Sequence, residues 1–229
     1  MNQAFQGDIT NNVVELNLQA VAVNVATPTV VYDTSSDGVI NQIMGDVPPD
    51  WENSDSSLYG LVIGTSCTAI GSLAFYYCTG LTGSLVIPDS VTSIGDQAFD
   101  NCTGFTGTLT FGNGVTVIGS SAFYACAGFT GSLTIPDNVI NIDGGGTFND
   151  CTGFTGTLTI GNGVTNIGSN AFNGCSSITR IEILATTAPT IAISAFLNMT
   201  AVSPAEIHVP VGATGYAATY NGLTVVYDL

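Results

Sequence analysis

The sequence predicts a β-rich solenoid, and three observations carry that prediction. From Leu61 onward one pattern returns every 24 residues, a period characteristic of stacked repeat architectures. Each copy carries a short alternating apolar stretch bounded by turn residues, as in Leu85-Val-Ile87 followed by Pro88-Asp89, which reads as a strand and its stop signal. A unit of this size has too few inward side chains to fold alone, so neighbouring units must complete its core.

Four marks hold the register. The phenylalanines are Phe75, Phe99, Phe123, Phe148, Phe172 and a degenerate Phe196. The cysteines are Cys78, Cys102, Cys126, Cys151 and Cys175. The strand leaders are Leu61, Leu85, Leu109, Leu133 and Leu158, and the middle isoleucines are Ile70, Ile94, Ile118, Ile142 and Ile167. One step, Cys126 to Cys151, is 25 residues long, and the run Gly144 to Gly146 accounts for the insertion. A slower rhythm doubles the period: Pro88-Asp89 and Pro136-Asp137 alternate with Gly112-Asn113 and Gly161-Asn162, and Gly-Ser alternates with Gly-Thr before the strands.

Within one unit the alternation turns Leu85 and Ile87 inward, and Val91, Ile94, Ala98, Phe99, Cys102 and Phe105 follow around the coil. The predicted architecture has short parallel strands on one sheet face and irregular or short helical segments on the other. About two turns of helix or 3₁₀ are expected over Gly95 to Cys102. The five register cysteines occupy equivalent positions, and Cys67 takes the place of Val91. A ladder of parallel side chains favours buried free thiols over disulfides, and no short-spaced Cys/His set offers a metal site.

Three regions follow. Residues 1–60 lack the repeat and read as an N-terminal β capping or mounting module. Strands are expected at Val14 to Leu18, Val21 to Val25, Thr29 to Tyr32 and Val39 to Met44. Trp51 and Tyr59 are placed to close the first coil, and Asp46, Asp50, Glu52 and Asp55 make an acidic linker. Residues 61–180 form the solenoid of five clear coils. Residues 181–229 hold degenerate repeats and a C-terminal cap.

The string Ile87-Pro-x-x-Val-x-x-Ile-Gly-x-x-Ala-Phe-x-x-Cys102 resembles the BspA-type (Treponema-type) leucine-rich repeats. Its Ala-Phe-x-x-Cys core recurs in four copies, with Thr147 replacing the alanine in a fifth. The segments Ala185 to Ile191 and Ile207 to Gly212 are similar to that family's closing segment. The resemblance implies a curved stack with a parallel sheet on one face, and microbial surface proteins that bind hosts, matrix or other cells. The sequence departs from the family in having no lysine, and its N-terminus shows neither the basic head nor the apolar core of an export signal.

Composition narrows the function. One arginine, one histidine and 17 acids give a net charge of −16, which argues against nucleic acid and anionic membranes as partners. No stretch is apolar enough to insert into a bilayer. A nucleophilic triad needs a base; His208 is the lone histidine, and alternation points it outward on a terminal strand. Neither catalytic residues nor a cofactor are expected. The expected contact surface is the sheet face, where alternation turns Thr82 and Ser84, Thr106, Thr108 and Thr110, Thr130, Ser132 and Thr134, and Thr155, Thr157 and Thr159 outward. The reading is a non-enzymatic, extracellular, cell-surface or virion-surface scaffold contacting protein or glycan, with residues 1–60 available for self-assembly. The alternatives are a virion decoration or fibre component mounted through residues 1–60, and an ice-binding array.

Overall fold

The structure is a computed structural model describing residues 29–32, 39–40, 59–65, 67–142, 144–202 and 206–229. Strands and turns repeat coil upon coil, with parallel ladders on two sides. One ladder holds the predicted strands. Leu85–Ile87 pairs with Leu109–Phe111, and Gly131–Ile135, Phe154–Ile160, Arg180–Ile183, Glu206–Val209 and Leu223–Tyr227 follow in parallel. The antiparallel strand Thr219–Tyr220 ends this sheet.

The second ladder was not foreseen. The middle isoleucines lie in two-residue strands, Ala69–Ile70, Ser93–Ile94, Val117–Ile118, Asn141–Ile142 and Asn166–Ile167, flanked by Val39–Ile40 and Thr190–Ile191. Together they form one parallel sheet of seven.

The expected strand at Thr29 to Tyr32 is present and pairs with Gly60 to Ile63; of the one expected at Val39 to Met44, Val39–Ile40 is a strand and the remainder lies outside the described residues. The second ladder therefore reaches back into residues 1–60 through Val39–Ile40, while Thr29–Tyr32 joins Tyr59–Ile63 and Leu81–Thr82 in a separate three-stranded sheet. The expectations for Val14 to Leu18, Val21 to Val25, Trp51 and the acidic linker fall outside the described residues.

No helix occurs among the described residues; the segment expected to be helical is a run of overlapping turns. Its hydrogen bonds explain why. Ala98, Asp100 and Cys102 donate back three residues to Gly95, Gln97 and Phe99. The intervening N–H groups of Gln97, Phe99 and Asn101 donate instead to the carbonyls of Ser120, Ala122 and Tyr124 in the next coil. A helix would spend all of these donors internally. The alternation needs left-handed backbone twice per coil, at Leu73 and Tyr77, Gln97 and Asn101, and Ser121 and Ala125. The 25-residue step falls between Ile142, in register with Ile118, and Phe148, stacked on Phe123. Gly145 and Gly146 supply left-handed φ values of 86° and 85° there.

The doubled period is a hydrogen-bonding device. Asp89 Oδ1 accepts from the Asn113 N–H at 2.7 Å, and Asp137 Oδ1 from the Asn162 N–H at 2.9 Å. Ser84 and Ser132 Oγ accept from the N–H groups of Thr108 and Thr157, each at 3.0 Å. Gly112 lies over Pro88-Asp89 so closely that a Cβ would come 2.5 Å from the Asp89 nitrogen. Coils thus associate in pairs, one supplying side-chain acceptors and the next supplying glycine and free N–H groups. The strand ladder is interrupted between Leu109–Phe111 and Gly131–Ile135, where one pair meets the next. Two features of the acceptor coil coincide with that break: Pro136 has no N–H to offer, and Gly131 stands at φ 77°.

Between the ladders runs the core. Phe75, Phe99, Phe123, Phe148, Phe172 and Phe196 stack in one column, with successive centroids 4.9, 5.1, 5.3, 5.4 and 5.8 Å apart and rings within 9° of parallel. A second column joins Phe105, Phe129 and Phe154. The register cysteines are buried free thiols, and Cys67 is buried as well. Each thiol from Cys102 to Cys175 donates to the phenylalanine carbonyl of the preceding coil, at 2.9 to 3.1 Å. Burial pushes the Cys78 thiol up to about 11 and Cys175 up to about 12, and raises Cys102, Cys126 and Cys151 too.

Phe123→Ala, in mid-column, is expected to cost about 3–5 kcal/mol, read from chemical denaturation. Asp89→Ala removes one inter-coil acceptor and is expected to cost about 1 kcal/mol in the same assay. The native chain at pH 8 is expected to resist alkylation because the thiolate is the reactive form. Mass spectrometry should find the cysteines modified only after unfolding, with Cys78, at the end of its ladder, first.

Candidate binding surface

The sheet face is built by strict alternation. Along Leu109–Phe111 and Gly131–Ile135 the even-numbered residues point out and the odd-numbered ones are buried from Leu109 and Leu133 onward. Register then lines the outward residues into rows across coils. One row runs Val86 and Thr110 and, at equivalent repeat positions beyond the break in the ladder, Thr134, Thr159, Glu182, His208 and Val226. A parallel row holds Ser84, Thr108, Ser132, Thr157 and Arg180, then Glu206 and Thr224.

Ser84, Thr106, Thr108, Thr110, Thr130, Ser132, Thr134 and Thr155 are exposed, and Thr157 and Thr159 are half-buried. Thr82 departs from the expectation. It is buried, at 7% exposure, because it belongs to the separate strand Leu81–Thr82 that pairs with Tyr59 and Gly60. The left-handed Gly83 divides it from Ser84, so alternation does not carry across.

Hydrogen bonding sorts the rest by role. Ser84 and Ser132 are occupied as acceptors. The Thr108 hydroxyl reaches Ser84 Oγ, and the Thr130 hydroxyl reaches the carbonyls of Thr106 and Gly107. Among the described residues, the hydroxyls of Thr106, Thr110, Thr134, Thr155, Thr157 and Thr159 make no such bond and face outward unengaged. This distinction is invisible in the sequence, where all are Ser or Thr in strands.

The face also changes character along its length. Val62 and Val86, 45% and 56% exposed, make its first end apolar. Beside them lies a shallow depression of about 470 Å³, lined by Thr65, Val86, Pro88, Asp89, Thr110 and Phe111. The middle is hydroxylated. The far end is charged, with Arg180, Glu182, Glu206 and Asp228 around His208. His208 does lie on the outward side, but Arg180 and Asp228 cover it, and its side chain is only 7% exposed. The alternation of Arg180-Ile-Glu182-Ile and Glu206-Ile-His208-Val was the signal that these side chains extend the rows. Among the described residues, their hydrogen-bond partners include no hydroxyl or thiol. No group of His, Cys, Asp and Glu among the described residues is arranged to hold a metal.

Coils of this length, with parallel ladders and a stacked apolar column, define a leucine-rich repeat solenoid. The BspA type leucine rich repeat region matches in six copies across residues 68–203, over half of the 229 residues, and the chain belongs to that family. A comparison with curated proteins finds no match. Among solved structures, a leucine rich repeat protein of T. pallidum is similar at 18% identity and a TM-score of 0.51, over 77% of this chain and 84% of that one. It shares the fold. A leucine rich cell surface protein from Faecalibacterium prausnitzii matches at 22% identity and a TM-score of 0.42, over 96% of this chain and 57% of that one. A leucine-rich repeat protein from Bacteroides ovatus matches at 17% identity and a TM-score of 0.30, over 89% of this chain and 71% of that one.

Proposed function

We propose that this chain is a non-catalytic scaffold displayed outside a cell, and that its hydroxylated sheet face contacts a protein or glycan. The observation that carries the reading is the set of six outward hydroxyls left unengaged by the protein itself. Hydroxyls both donate and accept, which suits the polyol surface of a sugar or the polar rim of a protein. The hydroxylated middle of the face carries no aromatic or arginine anchor of the kind that gives single residues large binding energies. Affinity therefore comes from many modest contacts, which a rigid repeating surface presents together without paying to order them. The chain's acidity, at net −16, disfavours polyanions and leaves neutral or basic partners. Membership in the BspA-type family supports the surface role.

The test uses Thr110, Thr134 and Thr159, which share one row. The triple variant T110A/T134A/T159A is expected to melt like the parent, since exposed substitutions fall within about 0.5 kcal/mol. Binding to a defined panel of neutral glycans and purified matrix glycoproteins is expected to fall about tenfold, as three modest hydrogen bonds are lost. Equal binding by parent and variant would remove the face from this role.

A further inference from the structure

The chain has one arginine and one histidine, and the fold brings them into contact. Arg180 Nη1 lies 3.0 Å from His208 Nε2. A guanidinium only donates, so Nε2 is the acceptor and carries no proton. The ring proton is therefore on Nδ1, which donates to the Asp228 carboxylate, both of whose oxygens lie at 2.9 Å. This is the neutral imidazole. Arg180 Nε donates at the same time to Glu182 Oε1 at 2.6 Å.

A third carboxylate faces the same ring nitrogen. Glu206 Oε2 lies 3.8 Å from Nε2, beyond hydrogen-bonding range. Among the described residues, the charged groups facing His208 are then Arg180 and Glu182 from one neighbouring strand, Glu206 from its own, and Asp228 just beyond the other; its register partner there, Val226, is apolar. Nε2 thus stands between a cation it can keep only when unprotonated and an anion it can bind only when protonated.

Adding a proton to Nε2 removes the lone pair that holds Arg180 and sets two cations 3.0 Å apart. The new N–H needs an acceptor, and Glu206 is at hand. His208 is fixed, with its side chain 7% exposed, whereas the Arg180 side chain is 40% exposed and has room to leave. We propose that His208 is an acid-operated switch that exchanges Arg180 for Glu206, and so releases the Nη1 end of the sheet-face guanidinium, its Nε still held by Glu182, to bind a carboxylate on a partner. Histidine is the side chain whose charge changes between about pH 5 and 8. Arg180 lies in register with Thr157, at the end of the hydroxyl rows. The exchange stands on these five residues alone; only its use in docking rests on the sheet face being the contact surface.

The lone histidine and lone arginine make the experiment unambiguous in the full chain. With both residues isotopically labelled, NMR spectra are followed from pH 8 to pH 5. His208 is expected to pass from the Nδ1–H tautomer to the doubly protonated ring. The Arg180 guanidinium resonances should follow the same curve, and the Arg180–His208 nuclear Overhauser contact should vanish. Acetate, the simplest carboxylate probe, should then shift Arg180 at pH 5.5 and not at pH 8. In His208→Asn the Arg180 resonances should be flat across the range, and the parent titration decides the matter even if that variant folds poorly. A ring that keeps its neutral tautomer to pH 5, or an arginine that ignores the titration, overturns the switch. An acetate response that is absent or the same at both pH values overturns the docking role, whatever the hydroxyl-row variant shows.

Discussion

No coil of this protein satisfies its own backbone, and the rest of the structure depends on that. In the turn segment every second N–H crosses to the next coil, and apart from the terminal hairpin of Thr219–Tyr220 with Leu223–Tyr227 both ladders consist of strands that pair with other coils. An unpaired buried amide is costly, so the register between coils is held at many points at once. The phenylalanine column follows from it. Rings carried at one position per coil and translated by one ladder spacing have little choice but to stack nearly parallel, as they do from Phe75 to Phe196. The cysteines obey the same rule. Their thiols lie over carbonyls of the coil beneath, where a small, weakly donating side chain fits.

Translation by one coil also limits which residues the surface can carry. A side chain repeated at every coil meets its own copy about 4.8 Å away, and like charges at that spacing repel. Hydroxyls and amides do not. The doubled period is consistent with this constraint: Asp89 and Asp137 are each followed by an asparagine, Asn113 and Asn162, so no acid lies directly over another at this position. The same asparagines supply the N–H groups that the aspartates accept. One alternation thus relieves repulsion and provides the bonds that join coils in pairs. Charges of both signs gather only at the C-terminal end of the face, where the repeat degenerates and Arg180, Glu182, Glu206 and Asp228 have no identical copies above or below.

A scaffold of this kind separates stability from contact. The inward residues and inter-coil bonds are committed to holding the stack, and part of the outward hydroxyl set is committed as well. What remains is a rigid surface of unengaged hydroxyls, apolar at one end and charged at the other. Such a surface can be altered residue by residue without disturbing the column behind it, which is why the family's repeat is legible in the core while its contacts are not.

By itself the sequence determined the period, the inward set, the 25-residue step and the burial of the cysteines. Each of these recurs at fixed spacing because stacking places equivalent residues in equivalent surroundings. Membership in the family was legible for the same reason, from Ile87 to Cys102. Tertiary structure alone decided that Gly95 to Cys102 forms turns instead of helix, that the isoleucines build a second ladder, and that Thr82 is buried. It also decided which hydroxyls remain unengaged and that Arg180 meets His208. All of these turn on where a neighbouring coil's donors and acceptors land, and no local pattern of side chains records that.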